Sequence, residues 1–360
     1  MAVKLDYSHE HDELLLDKLN ELKSRLPRFM EKYFIAKSDL VPSTLLNYAT
    51  DSFLFFEWAR SRFSEFENME IRNLPIDILK SLTSDDLNVY IKDYLTKYER
   101  NGVIHRNDYN GKARKLASLK SIYKFFLLNR DIDNDPSAII TLKAKADHEI
   151  VYLQPNEVAI LLDCIDGEDD DSKNCEKNNN RKEAWHRLNR VRDLAMITML
   201  LGTGIRVSEL VGINLKDIDF NDGAIHITRK GHRRDTVYMG EEIEETLHDY
   251  IDNARSSYLP PADEEALFLS LRHKRITVRS VEILLKKYVA AALPYRSDEK
   301  ISPHKMRSTF GTTLYKETGD IKLVADTLGH KNIATTQKHY AASDTEIKRS
   351  AFKNVKLRGD

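Results

Sequence analysis

Between residues 40 and 130 the apolar positions recur every three to four residues, the spacing of helix faces that meet a core. In TLLNYATDSFLFFEWARSRF, Leu46, Ala49, Phe53 and Phe56 fall on one side. Ser43 or Thr44 stands where a helix cap is expected. In GKARKLASLKSIYKFFLL, Leu116, Leu119, Tyr123 and Phe126 share a side, while Lys112, Arg114, Lys115, Lys120 and Lys124 crowd much of the rest. The whole stretch reads as helices only, preceded by a charged helical lead-in over residues 1–25. The turn-rich DNDP at 133–136 closes this module, and residues 141–148 are polar in the manner of a linker.

A second module opens at Leu153-Gln-Pro-Asn-Glu, with Pro155 at a position that suits the first turn of a helix. Residues 167–183, GEDDDSKNCEKNNNRKE, are poor in apolar side chains and predict a surface loop. The apolar helix resumes over 189–202. Across 218–239 the period falls to two: Asp222-Gly223 marks a hairpin turn, and Ile225 and Ile227 alternate with His226 and Thr228. Lys230 shares the parity of the polar pair. A second strand, DTVYM, follows. The expected fold is therefore mainly α with a small antiparallel β-sheet: a helical domain over 1–140, a linker over 141–152, and an α+β domain over 153–360.

Composition adds exclusions. With 56 basic and 57 acidic residues the net charge is −1, so any nucleic-acid surface must come from local clustering rather than overall charge. Two cysteines, Cys164 and Cys175, give no disulfide framework. The start, MAVKLDYSHEHDELLLDK, does not read as a signal peptide, and the longest apolar run, 194–201, is too short to span a bilayer. A soluble cytoplasmic protein with no membrane segment is expected. His304, His330 and His339 lack compact ligand spacing, so no metal is expected.

The chemistry gathers in the last two-fifths of the chain. Arg206 sits in TGIRVSEL, Lys230 in TRKGHRRD, His304 and Arg307 in HKMR, His330 in LGH, and Tyr340 in TTQKHY. A phosphodiester resists attack because its oxygens are anionic and its leaving alkoxide is basic. An enzyme that uses no metal needs cations around the phosphate and an acid for the leaving oxygen. Arginine's planar fork matches two phosphoryl oxygens, so Arg206 and Arg307 together can bracket one phosphate. Taken singly, each arginine is an ordinary surface ion-pair residue. Glu209, three residues after Arg206, is placed either to orient it or simply to favour a helix N-terminus. Pro303 starts the helix that carries His304 and Arg307. Lys230 is either an acid for the leaving oxygen or part of a basic turn with Arg229, His232 and Arg233, and Arg229 competes with it for the acid's role. Gly329 is either a helix cap or a device for presenting His330. Tyr340 is one of 16 tyrosines and stands out only by its place; surrounding cations would favour its phenolate, the reactive form.

In this order and spacing, these motifs resemble the tyrosine recombinase (integrase) family from about residue 151 to the end, and more loosely over 40–130. The stretch RVRDLAMITMLLGTGIRVSELVGINLKDID…ITRKGHRRDTV looks especially like the Xer branch, including the single-recombinase type of Firmicutes. The resemblance implies a helical core-binding domain followed by an α+β catalytic domain. It implies that Tyr340 attacks a DNA phosphate to give a 3′-phosphotyrosyl link, with Arg206, Arg307 and His330 stabilising the transition state. Lys230 would be the general acid and His304 would assist proton transfer. It further implies no cofactor, a double-stranded DNA partner with an inverted-repeat site, a homotetramer on two such sites passing through a Holliday junction, and room for an accessory protein. Thr44, Asn47, Arg114, Lys115, Arg229, His232 and Arg233 are the candidate DNA contacts. The tail, with Ile347, Ala351 and Val355 at i, i+4 and i+8, would either dock on a neighbouring subunit, as the resemblance implies, or pack on its own domain.

The sequence departs from the family's pattern at one point. In many relatives the tyrosine falls nine residues after the LGH histidine; here that position is His339, and Tyr340 comes one later. Chromosome dimer resolution and integration or excision of a mobile element remain alternatives. So do a type IB topoisomerase-like relaxing enzyme and a DNA-binding protein that has lost catalysis.

Overall fold

A computed structural model describes residues 7–143, 151–167, 180–329 and 333, with side chains in the second long stretch from residue 185 onwards. The chain divides into two compact units, Met1–Asp147 and His148–Asp360. Among the described residues both are mainly helical, and each holds one small antiparallel sheet.

The first unit runs α1 (Tyr7–Arg25), α2 (Met30–Ala36), α3 (Pro42–Arg60), three short helices α4 (Ser64–Glu67), α5 (Asp77–Ser81) and α6 (Ser84–Asn88), a hairpin of β1 (Tyr98–Arg100) and β2 (Val103–His105), and α7 (Tyr109–Leu128). Helix α3 starts earlier than Ser43 or Thr44. Val41 is its extended cap and Pro42 its first residue, because proline's fixed φ is already helical and its missing N–H is not needed in the first turn. Its middle is buried almost all round, from Asp51 through Phe56. Aromatic rings fill the space it faces, with Phe55 against Tyr90 at 5.4 Å and Trp58 against Tyr90 at 4.8 Å between centroids.

The hairpin corrects the expectation of helices alone. Asn101 and Gly102 turn it with φ of 53° and 74°, the left-handed pair that a two-residue turn requires and that Asn-Gly supplies. Tyr94, Tyr98 and His105 stack at 5.2 and 5.1 Å, which ties the strands to the core.

Helix α7 is capped by Asp108, which accepts from the Gly111 amide at 2.8 Å. Leu116, Leu119, Tyr123 and Phe126 are buried as expected. Lys115 is not on the outer basic face. It is only 8% exposed, because position 115 leads the inward stripe 115, 119, 122, 126. Its ammonium lies 3.5 Å from the buried Asp51 carboxylate of α3, which also accepts from Arg114 at 2.5 Å. Burial lifts the Asp51 carboxyl above its ordinary range in spite of these two cations.

The second unit begins with α8 (Pro155–Asp166), closed by Gly167 at φ 87°. Next comes α9 (Asn180–Thr203), which takes in the end of the expected loop; residues 168–179 lie outside the described ones. Met196, Ile197, Met199 and Leu200 of α9 are completely buried and form the centre of this core. Helix α10 (Val207–Gly212) leads into the sheet β3 (Ile218–Asp219), β4 (Ala224–Arg229) and β5 (Arg233–Tyr238), ordered β3-β4-β5. Ile218 pairs with Ile225, and Arg229 with Arg233. Helices α11 (Glu241–His248), α12 (Val278–Ala292), α13 (Pro303–Thr318) and α14 (Ile321–Thr327) follow. Among the described residues no helix is long and apolar enough to cross a membrane.

Where the second unit begins, Glu157 of α8 accepts from the Gln154 amide at 2.9 Å, from the Tyr295 hydroxyl at 3.2 Å and from Arg296. Burial alone would raise its carboxyl, but the bonds from Arg296 and Gln154 hold it below the ordinary 4.5. Because the folded value is the lower one, the stability this carboxylate adds is complete above pH 4.5 and is lost as pH falls through the folded value. Thermal melting of wild type and Glu157→Gln across that range is expected to show the wild-type advantage at neutral pH shrinking to nothing in acid. A gap between the two that does not change with pH would contradict this reading.

Candidate active site

Gly204 and Arg206 follow the end of α9. The Gly204 amide closes that helix on Leu200 O at 3.2 Å. Gly204 then turns at φ 63°, where a Cβ would stand 2.3 Å from the Phe310 ring and 3.0 Å from Leu328. Only glycine fits both the backbone angle and the close packing. Two residues on, Arg206 caps α10. Its amide donates to Glu209 Oε2 and its guanidinium to Glu209 Oε1, each at 2.7 Å. Glu209 is 5% exposed and therefore fixed, while the Arg206 side chain remains 39% exposed. A buried carboxylate thus holds an accessible guanidinium in one orientation.

Pro303 is the first residue of α13, as its place in the sequence predicts. His304 is exposed and Arg307, one turn further, is 4% exposed. Arg307 donates to the carbonyl of Gly204 at 2.6 Å and to that of Leu328. It therefore links the turn before Arg206 to the end of α14. There Asp320 caps the helix start by accepting from Lys322 and Leu323, and Gly329 leaves the helix at φ 61°. His330 follows Gly329 in sequence but lies outside the described residues, as do Tyr340 and the tail with Ile347, Ala351 and Val355.

The β4–β5 hairpin divides its two candidates. The alternation of β4 puts Ile225, Ile227 and Arg229 inside and His226 outside. Lys230, just past the strand, is exposed and enters the tip completed by Gly231 and His232. Arg229 does not join the outward basic group expected of it. It is 7% exposed, donates to Asp235 Oδ2 at 2.5 Å, Thr327 O at 2.8 Å and Leu328 O at 3.3 Å, and lies 3.9 Å from Glu209 Oε2. Burial would raise the Asp235 carboxyl, but the bond from Arg229 and its neighbours hold it low, in the charged form. His232 and Arg233 are exposed.

One connected set of groups thus joins regions far apart in sequence. Arg206 meets Glu209, Glu209 neighbours Arg229, and Arg229 and Arg307 share the Leu328 carbonyl. Sequence reasoning missed the roles of Arg229 and Asp235, although their equal parity across a hairpin was a usable signal. It also missed Arg275, which donates to Val211 O at 2.7 Å and Ile213 O at 3.0 Å and so fixes the chain leaving α10. In the first unit, Asn47 and Arg114 are exposed, Thr44 is half-buried, and Lys115 is buried against Asp51. Among the described residues no group of three or more His, Cys, Asp or Glu side chains is arranged to hold a metal ion.

Comparison with known proteins bears on this arrangement. Residues 175–346 match the phage integrase family. Tyrosine recombinase XerC of Caldanaerobacter subterraneus subsp. tengcongensis is 32% identical over 330 residues, covering 89% of this chain and 84% of that protein. Tyrosine recombinase XerS of Streptococcus uberis is 30% identical over 355 residues, covering 90% and 94%. Among solved structures, the XerH site-specific recombinase bound to palindromic difH substrate aligns with a TM-score of 0.61 at 19% identity, covering 89% of this chain and 83% of that one. The Tn1549 transposon integrase in complex with transposon right end DNA gives 0.61 at 21%, covering 89% and 98%. The two structures share the fold. With 32% identity to XerC extending over most of both chains, this chain belongs to the tyrosine recombinase family of site-specific recombinases.

Proposed function

We propose that the protein cuts and rejoins double-stranded DNA at an inverted-repeat site through Tyr340, as a Xer-type recombinase. The observation that carries this reading is the joining of Arg206 and Arg307 at one turn: Glu209 holds Arg206, and Arg307 donates to the Gly204 carbonyl two residues before it, with Lys230 exposed at the hairpin tip. Two guanidiniums on one scaffold suit a single phosphate, with charge placed in advance where it develops in the transition state. Arg206, Arg307 and His330 neutralise the phosphoryl oxygens while the Tyr340 phenolate attacks phosphorus. Lys230, which is exposed where Arg229 is buried, gives a proton to the departing 5′ oxygen, and His304 assists proton movement. The products are a 3′-phosphotyrosyl bond and a free 5′ hydroxyl. Attack by the 5′ hydroxyl of a partner strand reverses the step, so the bond's energy is conserved.

In this reading residues 1–140 bind DNA through Thr44, Asn47 and Arg114, residues 153–360 carry catalysis with His232 and Arg233 near phosphates, and four copies act on two sites in the cytoplasm, with or without an accessory protein. Likeness to XerS over nearly its whole length favours chromosome dimer resolution. The one-residue shift of Tyr340 favours the alternative, integration or excision of a mobile element.

The test is a suicide duplex nicked beside the cleavage point of the host's dif-like site, or of the ends of the element that carries the gene. Wild-type protein is expected to give a denaturant-resistant DNA adduct. Trypsin should then leave the DNA on the peptide HYAASDTEIK, which holds a single tyrosine, Tyr340. Tight binding without an adduct on either duplex would leave a DNA-binding protein. Relaxation of a supercoiled plasmid lacking the site would favour the topoisomerase-like reading.

A further inference from the structure

We propose that Arg229 is a positioning residue that sets the place of Lys230 by clamping the β4–β5 hairpin to the end of α14 and to Glu209. The inference rests on the reading of Lys230 as the general acid. Lys230 has a long flexible stem at a hairpin tip, and β3 pairs only with Ala224 and Ile225, so the tip beyond them is supported by two strands alone, a mobile support. General acid catalysis needs the proton within hydrogen-bond reach of the leaving oxygen. Something must therefore hold the tip against the rest of the site.

Arg229 is built for that task. It is the last residue of β4, directly before Lys230, and its side chain leaves the inner face of the sheet. Its Nε is fixed by Asp235 of the neighbouring strand at 2.5 Å. Its two terminal nitrogens reach Thr327 O at 2.8 Å and Leu328 O at 3.3 Å, and one of them lies 3.9 Å from Glu209, the carboxylate that orients Arg206. Gly329 makes room for it, since a Cβ there would stand 2.8 Å from an Arg229 terminal nitrogen and 3.0 Å from Cζ. The planar fork spans three separate segments, which a lysine ammonium does not do. At 7% exposure, its guanidinium is turned onto protein groups.

The test compares two DNA substrates on the same nicked duplex. One has the ordinary 5′ oxygen at the scissile bond; the other has a 5′-bridging sulfur. A thiolate leaves without a proton, so the sulfur substrate does not need the general acid. In Arg229→Met, cleavage of the ordinary duplex is expected to fall ~100-fold, the range of a lost general acid, while cleavage of the sulfur duplex stays within about threefold of wild type. Arg229→Lys should behave like Arg229→Met, because it keeps the charge but loses the fork. DNA affinity and its salt dependence should stay at wild-type values, whereas loss of a phosphate contact would lower both.

Lys230→Ala separates the two ideas. If the sulfur substrate fails to rescue Lys230→Ala, the assignment of Lys230 as the acid falls, and this proposal with it. If sulfur rescues Lys230→Ala but leaves Arg229→Met equally slow on both substrates, the positioning proposal alone is overturned. Asp235→Asn removes the charge of the cross-strand partner with little change of volume, which weakens its hold on Arg229, and serves should Arg229→Met not fold. The same selective rescue, at a smaller deficit, supports the clamp, and an equal loss on both substrates overturns it.

Discussion

Tyr340→Phe is expected to bind the nicked duplex as wild type does and to form no covalent adduct. The substitution removes one oxygen and leaves the ring, so packing and DNA contacts are retained while the nucleophile is lost. The prediction matters because of His339. Many relatives carry their tyrosine at the spacing where this chain has His339, and an imidazole is also able to form a bond to phosphorus. The two products differ in chemistry: a phosphotyrosyl bond survives mild acid, while a phosphohistidyl bond does not. Wild type is therefore expected to give an acid-stable adduct, His339→Phe to retain it, and Tyr340→Phe to lose it completely. An adduct in Tyr340→Phe that dissolves in acid would move the nucleophile to His339.

Arg307→Ala has the next largest effect, and it acts on two properties at once. Removing one preorganised cation from a phosphoryl transition state is expected to slow adduct formation ~10²–10³-fold, as for loss of an oxyanion donor. Arg307 is also buried, and its guanidinium serves Gly204 O and Leu328 O. Without it both carbonyls lose a charged donor, so unfolding in urea should show a loss of about 3 kcal/mol. Arg307→Lys separates the two. One ammonium has difficulty serving both carbonyls, so part of the stability is lost, and a point charge replaces the fork at the phosphate, so most of the rate is lost. A full-rate Arg307→Lys would mean that charge alone, without bidentate geometry, is enough.

Much of the fold was legible because helical periodicity and turn chemistry are local. Leu116, Leu119, Tyr123 and Phe126 face inward as their spacing predicts, and the three-stranded sheet forms where the period drops to two. Departures arose where a local rule was passed over or where a distant partner decided. Pro42 moved the start of α3, and Asn101-Gly102 made a hairpin inside a segment read as helical. Both signals were present in the residues. Lys115 is different: it is buried because Asp51, 64 positions earlier in the chain, waits for it on α3, and nothing in the local pattern reveals that pairing. Arg229 combines both cases. Its parity pointed inward, yet its carbonyl partners at 327 and 328 come from a helix about a hundred residues away. The site motifs were legible as a list, but the group that unites them is the backbone oxygen of Leu328, a residue of the LGH motif to which the sequence assigned no role of its own.

That oxygen has a consequence for how this enzyme varies. A carbonyl is present whichever side chain position 328 carries, so drift at that position leaves the acceptor in place. Arg229 and Arg307 are thereby referenced to a feature that substitution does not erase. Side-chain scanning is blind to it, and only an altered backbone, such as an ester in place of the amide after Leu328, which weakens the acceptor, reaches it. Substitution of the buried Leu328 side chain is therefore felt through packing and not through loss of the acceptor, whereas Gly329 sets the course of the backbone itself.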